Sequence, residues 1–88
     1  MKTILITGGA GFLGSHLSHA LLEKGYRVMV LDDLSHGDMG NISDTIPSPK
    51  FSFYRGDVLD KNFLIEISEG VDIIVHFATY KIQEKEAS

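Results

Sequence analysis

The chain has 88 residues, a formal net charge of −4 and no cysteine. This length allows one small domain, and the lack of cysteine excludes disulfides, thiolate metal sites and thiol catalysis. The acidic balance argues against nucleic acid as a partner, and no run approaches the roughly 18 consecutive apolar residues that span a membrane. We therefore expect a cytoplasmic globular domain with neither nucleic acid nor membrane as a partner.

The first element is a short strand that leads into a glycine-rich turn. Residues 3–7 (TILIT) form an apolar run with β-branched members, which predicts a buried strand of a parallel sheet. The glycines of residues 7–14 (TGGAGFLG) satisfy two spacings, G-x-G-x-x-G from Gly9 and G-x-x-G-x-x-G from Gly8. Either spacing turns a strand sharply into a helix and lets a pyrophosphate approach the backbone, with the helix N-terminus facing the phosphates.

A helix and a second strand complete a β-α-β unit. Apolar residues recur with helical spacing from Phe12, and Gly25 is suited to a left-handed cap at the helix end. The face predicted to lie on the sheet consists of Leu13, Leu17, Ala20 and Leu21. Residues 27–31 (RVMVL) have the length and composition of a strand. A right-handed crossover makes this strand parallel to the first.

Two carboxylates end the second strand. Asp32 lies 18 residues beyond Gly14, and Asp33 follows it. In a dinucleotide fold, a carboxylate at this position bonds the adenosine ribose hydroxyls and excludes a 2′-phosphate, so the site would prefer NAD to NADP. The alternative is that both aspartates only cap a turn.

Residues 34–50 are rich in glycine, serine, aspartate and proline. They predict one long irregular stretch with a single helical turn near residues 41–45. Loops of this length are uncommon inside a compact domain and tend to be functional, so Ser35 and Gly37 are candidates for lining the adenosine end. A merely solvated connection is the alternative.

A third strand and a second helix follow. Residues 51–55 (FSFYR) alternate and are aromatic, which favours a strand near a sheet edge. Asp60 is a suitable N-cap for a helix over residues 61–69. Its predicted buried side chains are Phe63, Leu64 and Ile67.

Residues 71–77 (VDIIVHF) predict a fourth strand with the apolar composition of a central one. With strand order 3-2-1-4, however, this strand lies at an open edge, which invites pairing with another chain. We therefore expect a homodimer through the fourth-strand edge. Residues 82–88 are mostly charged or polar, and we expect them to begin a helix or to fray.

No metal site is expected. His16 and His19 share a helix face, but no carboxylate stands with them in the sequence pattern. Packing or solvent-facing histidines are the favoured interpretation.

Four segments appear in order along the chain: TGGAGFLGSHL at residues 7–17, LDDLSHG at 31–37, GDVLD at 56–60 and VHFATYK at 75–81. Together they resemble the N-terminal cofactor-binding half of the extended short-chain dehydrogenase/reductase family, most closely the UDP-glucose (UDP-galactose) 4-epimerases. The resemblance implies NAD as cofactor and an α/β fold. The fold would be a partial Rossmann-like parallel sheet with flanking helices, forming a single domain over 1–88 that is truncated before the second half of the fold.

The resemblance also implies which residues hold NAD. Around the pyrophosphate would lie Gly8, Gly11, Phe12, Leu13 and Gly14. At the adenosine would lie Asp32, Asp33, Ser35, Asp57 and Val58. Under the cofactor and on its nicotinamide side would lie Phe77, Ala78, Thr79 and Lys81. Without the resemblance, the favoured interpretation of Asp57 is a plain turn residue and that of Lys81 is a plain surface charge.

Members of this family carry a Tyr-x-x-x-Lys pair later in a longer chain, in which the tyrosine is the acid/base. None of Tyr26, Tyr54 and Tyr80 has a lysine four residues further on. We therefore expect the NAD-binding portion of a nucleotide-sugar epimerase or dehydratase, with no catalytic residue of its own and a separate C-terminal half as a possible partner. The alternative is a stand-alone oligomeric structural or interaction protein that keeps the half-Rossmann fold.

Overall fold

The computed structural model describes residues 1–35 and 37–78. Within these ranges the order of elements is β1 (Thr3–Thr7), α1 (Phe12–Glu23), β2 (Arg27–Asp32), β3 (Phe51–Arg55), α2 (Lys61–Ser68) and β4 (Ile73–His76), with a 3-10 turn at Met39–Asn41 between β2 and β3. The predicted tail at 82–88 and the candidates Thr79 and Lys81 lie outside the described residues.

The four strands form one parallel sheet in the order β3-β2-β1-β4. This confirms the predicted α/β fold and the strand order 3-2-1-4. The strand β1 lies between β2 and β4, and its Thr7 pairs with Leu31 of β2 on one side and with His76 of β4 on the other. The carboxyl ends of these strands therefore meet at one edge of the sheet, where open α/β folds bind their ligands.

Each face of the sheet has its own core. On the α1 face, Ile6, Val30 and the loop residue Ile42 are fully buried together. On the α2 face, Leu5 and Leu31 pack with Ile67 of α2. Complete burial of an aliphatic side chain stabilises the folded state by about 1.5–3 kcal/mol. The buried side chains of β1 and β2 therefore fix the positions at which the carboxyl ends of these strands meet.

The packing of α1 differs from the prediction. Leu13 is 65% exposed and Ala20 is also exposed, whereas the buried residues of the helix are Gly14, Ser15 and Ser18. At Gly14 the helix lies so close to the turn after β1 that even a Cβ would stand 2.6 Å from the Gly8 oxygen. The leucines flank this contact, and Leu17 and Leu21 are partly buried against the α1-side core.

The long loop also differs from its prediction. Its 3-10 turn spans Met39–Asn41 and not 41–45, because the Asp38 carboxylate accepts a hydrogen bond from the Gly40 N–H (3.0 Å) and fixes the turn earlier. Ile42 is 0% and Thr45 4% exposed. The loop therefore contributes to the core, and the alternative of a merely solvated connection is wrong.

Several element ends depart by one or two residues from the predicted ones. The second strand includes Asp32, and α2 ends at Ser68 before Gly70, whose φ is +82°. Asp60 caps α2 as predicted, accepting from the Phe63 N–H at 3.2 Å. The fourth strand keeps only Ile73–His76 of the predicted 71–77. Neither helix in the described ranges is long and apolar enough to cross a membrane.

Candidate functional site

The turn after β1 is built on Gly8. Its φ of +74° lies in the left-handed region, and a Cβ there would stand 2.7 Å from the Ala78 nitrogen. The Gly8 N–H donates to the Leu31 carbonyl at 2.8 Å. Only glycine allows the chain to leave β1 in this direction while passing directly against the end of β4.

Gly11 and Gly14 have different tasks. A Cβ on Gly14 would stand 2.6 Å from both the Gly8 oxygen and the Gly9 Cα, so this glycine lets α1 lie on the turn. Gly11 is the N-cap of α1 in an ordinary extended conformation (φ −76°, ψ 177°), and among the described residues the atom nearest to a Cβ there would be the Gly8 oxygen at 3.4 Å. Here the missing side chain opens the backbone to an approaching ligand.

These tasks favour the spacing that begins at Gly8, in which the first glycine makes the turn, the second allows approach and the third allows helix packing. Gly9 is glycine for another reason, because a Cβ there would stand 2.7 Å from a methyl group of Val30. The first turn of α1 has no side-chain cap and no acidic residue. Its first N–H groups have no acceptor within the helix, so they can receive an anion.

Asp32 is a buried carboxylate, 8% exposed, that holds the backbone around the site. Its Oδ2 accepts from the Ala10 N–H at 2.9 Å, and its Oδ1 accepts from the Leu34 N–H at 2.8 Å. A carboxylate has about four acceptor positions, so Asp32 keeps capacity for a ligand hydroxyl. The exposed Asp33 accepts from the N–H and the hydroxyl of Ser35 at 2.9 and 2.7 Å.

The segment after β3 forms a second wall. Asp57 is exposed, and its Oδ1 accepts from the Leu59 N–H at 2.9 Å, which is the geometry of a turn residue. This contact leaves its other oxygen, Oδ2, for a ligand. Val58 is half-buried against the α2-side core. The half-buried Val58 therefore offers an apolar contact for a ligand beside Oδ2 of Asp57.

The residues after β4 form the floor. The Phe77 N–H donates to the Thr7 carbonyl at 2.8 Å, and the Ala78 N–H reaches the Thr7 hydroxyl at 3.5 Å. That hydroxyl is also 2.6 Å from Nδ1 of His76. The hydroxyl of Thr7 thus ties the end of β4 to the end of β1 directly below the glycine turn.

Two adjoining clefts run along this edge. One has a cavity volume of about 130 Å³ and the other of about 250 Å³. They share Gly8, Gly11 and Phe77. Between them they are lined by every predicted site residue that the structure describes: Gly8, Gly11, Phe12, Leu13, Gly14, Asp32, Asp33, Ser35, Asp57, Val58, Phe77 and Ala78.

The lining also includes residues that the sequence did not assign. Leu31 and Gly56 contribute to the larger cleft. Both follow from position, since Leu31 is the last apolar residue of β2 and Gly56 directly precedes Asp57. Gly37 lines the same cleft, and a Cβ there would stand 2.8 Å from Oδ2 of Asp32.

A histidine on α1 binds the long loop from the other side. Nδ1 of His19 is 2.7 Å from the Ser15 carbonyl, and its Nε2 is 2.7 Å from Oδ1 of Asp44. Both partners are acceptors, so the two bonds together require a ring with two N–H groups, the charged form. The hydrogen bond to Asp44 accordingly raises the pKa of His19, and the same bond lowers the pKa of Asp44.

Residues 4–88 match the NAD dependent epimerase/dehydratase family. The chain belongs to this family. Its similarity to the UDP-glucose 4-epimerase of Neisseria meningitidis serogroup A is 39% identity over 85 residues, which is 92% of this chain and 25% of that protein. The chain therefore spans about a quarter of the length of this relative.

Solved structures of family proteins share the fold. The dTDP-glucose 4,6-dehydratase from Bacillus anthracis, in complex with NAD, superposes with a TM-score of 0.89 at 30% identity, covering 98% of this chain and 29% of that one. The UDP-glucose 4-epimerase from Brucella ovis, also in complex with NAD, gives a TM-score of 0.80 at 32% identity, covering 99% of this chain and 27% of that one. The similarity therefore extends over the whole described sheet.

Proposed function

We propose that this chain is the NAD-binding portion of a nucleotide-sugar epimerase or dehydratase resembling UDP-glucose 4-epimerase. One observation carries the proposal. The uncapped N-terminus of α1, with Gly11 open to a ligand, faces a cleft whose other wall holds Asp32 and Asp33. Such a cleft has positive potential for phosphates at one end and acceptors for ribose hydroxyls at the other.

The residues present fit the dinucleotide on both counts. The first-turn N–H groups of α1 and the backbone at Gly8 and Gly11 would hold the pyrophosphate. Asp32, fixed by two backbone N–H groups, and the exposed Asp33 would hold the adenosine ribose with Ser35 close by. Asp57 and Val58 would meet the adenine. Beneath the cofactor would lie Phe77, Ala78 and Thr79, and Lys81 would reach a ribose on its nicotinamide side; Thr79 and Lys81 lie outside the described residues.

NAD supplies a hydride acceptor when bound, and the part of this chain is to bind and orient it. The chain has no Tyr-x-x-x-Lys pair to serve as acid/base. We therefore propose that these 88 residues bind NAD without epimerising or dehydrating a sugar nucleotide, and that catalysis requires a C-terminal half. The chain can be mixed or co-expressed with such a half from a family relative. If no epimerisation follows, the proposal that a C-terminal half completes the catalytic site is refuted.

Binding is tested by titration calorimetry and by thermal melting with NAD, using NADP as the comparison. At a hundred times the dissociation constant, a ligand stabilises the folded chain by roughly 2.7 kcal/mol. For a domain of this size, that raises Tm by roughly 10–20 °C. The shift should be much smaller with NADP, because Asp32 and Asp33 repel a 2′-phosphate. No heat of binding and no shift at millimolar NAD would refute the proposal.

We further propose that two copies of this chain form a homodimer through the edge of the sheet at β4. The exposure of that strand supports the proposal. Ile73 is 45% and Ile74 52% exposed, and their pairing with Ile4 and Leu5 puts them on opposite faces of the sheet. Light scattering should give a dimer mass at high micromolar concentration, and Ile74→Lys should give a monomer. A clean monomer for the unaltered chain would contradict the dimer.

The same edge favours the second candidate function, a stand-alone structural or interaction protein. Assembly that proceeds equally with and without NAD, in a chain that does not bind NAD, would favour that candidate. A cytoplasmic location stays a prediction, which fractionation of cells expressing a tagged chain would test.

A further inference from the structure

The backbone of Ala10, in the middle of the glycine turn, is held on both sides. Its N–H donates to Oδ2 of Asp32 at 2.9 Å. Its carbonyl oxygen accepts two hydrogen bonds from the loop after β2, one from Nδ2 of Asn41 at 2.8 Å and one from the Asp38 N–H at 3.1 Å. The amide of Asn41 therefore reaches across 31 residues of sequence to the turn.

The Ala10 carbonyl belongs to the same planar peptide group as the Gly11 N–H. That N–H makes a longer bond, 3.2 Å, to the Gly8 carbonyl. The shorter bond from Asn41 is thus the tighter restraint on this peptide plane. Gly11 lines both clefts, so the orientation of the plane decides how the backbone faces a ligand there.

We propose that Asn41 is a positioning residue for the dinucleotide site, acting through the Ala10 carbonyl to fix the Ala10–Gly11 peptide. The inference rests on the proposed function, since it takes NAD as the ligand. Asn41 itself is exposed, whereas the neighbouring Ile42 is fully buried. The core contact of Ile42 therefore anchors the loop, and the amide of Asn41 sets the orientation of the Ala10–Gly11 peptide.

Three variants isolate the contribution of the Asn41 side-chain amide. Asn41→Ala removes the donor, and Asn41→Asp keeps the shape but places an acceptor oxygen against the Ala10 carbonyl. Asn62→Ala is the matched control, because Asn62 is the only other asparagine of the chain, is exposed on α2 and lines neither cleft.

The dissociation constant for NAD is measured by calorimetry, and the Gly11 amide resonance by NMR without NAD. Loss of one hydrogen bond of ordinary strength corresponds to about fivefold in affinity. We expect about fivefold weaker NAD binding for Asn41→Ala, a larger loss for Asn41→Asp and no change for Asn62→Ala. The Gly11 resonance should move in both Asn41 variants, while Tm stays within a few degrees of that of the unaltered chain.

Unaltered affinity and an unmoved Gly11 resonance in Asn41→Ala would overturn the proposal. So would an equal loss of affinity in Ile42→Val, which loosens the loop without touching the amide, because the role of Asn41 would then be merely structural. If the unaltered chain does not bind NAD, the proposed function fails. The Gly11 resonance alone then decides the inference, which a shift supports and no shift overturns.

Discussion

Replacing Gly11 and Gly14 by alanine should separate ligand binding from stability within one turn. Both glycines belong to the motif, yet the space around them differs. A methyl group on Gly14 would lie 2.6 Å from the Gly8 oxygen and the Gly9 Cα, which are backbone atoms that cannot rotate away. For a methyl group on Gly11, the nearest atom among the described residues would be the Gly8 oxygen at 3.4 Å, and Gly11 lines both clefts.

The magnitudes follow from these distances. Gly14→Ala gains about 1 kcal/mol of helix propensity but forces an overpacked contact that costs about 3 kcal/mol, so the net destabilisation is about 2 kcal/mol. For a domain of this size that lowers Tm by roughly 10 °C. At Gly11 the φ of −76° suits any residue. The entropy that alanine removes from the unfolded chain offsets the weaker N-cap, so stability changes by less than about 0.5 kcal/mol.

Binding should respond in the opposite order. The Gly11→Ala methyl occupies the space through which a pyrophosphate reaches the first-turn N–H groups, so NAD affinity should fall at least about tenfold, the equivalent of about 1.4 kcal/mol. Thermal melting by circular dichroism and NAD titration by calorimetry measure the two effects. Gly25→Ala is the control for a loss of stability without a loss of binding. Its φ of +92° strains an alanine, no atom of the described residues lies within 4 Å of the added Cβ, and Gly25 lines neither cleft. A Gly11→Ala chain that melts as low as Gly14→Ala, or that binds NAD normally, would contradict this division between the two glycines.

Three further predictions concern the elements around the site. Asp60→Ala removes the N-cap bond to Phe63 and should cost about 1 kcal/mol in a denaturant titration, an effect that Asp60→Asn should largely avoid. Ile42→Ala empties a fully buried position of the long loop and should cost about 3 kcal/mol, whereas a cost below 1 kcal/mol would contradict a loop anchored in the core. Because the pKa of His19 is raised, its contribution to stability is full below pH 6.5 and is lost as pH rises through the raised value. Because the pKa of Asp44 is lowered, its contribution is full above pH 3.8 and is lost as pH falls through the lowered value. An NMR titration should therefore show the pKa of His19 returning toward 6.5 in Asp44→Asn, and an unmoved pKa would rule out the bond.

The sequence was sufficient for the strand order and the two helices because their signals are local. The run at 3–7, the glycine turn and the carboxylates that end β2 each combine a periodicity with a punctuating residue, and the rules for parallel crossovers then leave few topologies. Asp60 is another such case, since an N-cap is written within four residues of sequence. The assignment of site residues depended on the family resemblance, and the clefts gather every described member of that set.

What the sequence missed depends on close approach between distant segments. The leucines of α1 fit a helical stripe, but the buried residues of the helix are Gly14, Ser15 and Ser18, and a Cβ on Gly14 would already stand 2.6 Å from the Gly8 oxygen. The role of Asn41 was invisible for a similar reason. Its amide meets Ala10 only after the loop has folded back onto the turn, and no local pattern records that contact.

The pairing of β1 with β4 also orders events during folding. Thr7 and His76 are 69 residues apart in sequence, and contacts of such separation close slowly because a long loop must be ordered first. A chain that emerges amino terminus first can pair β1 with β2 early, while the other edge of β1 waits for residues 73–76. Gly8 makes its turn against Phe77 and Ala78, so we expect the floor of the site to form last. Nascent chains that end before this strand would therefore carry the complete glycine motif without a finished cleft.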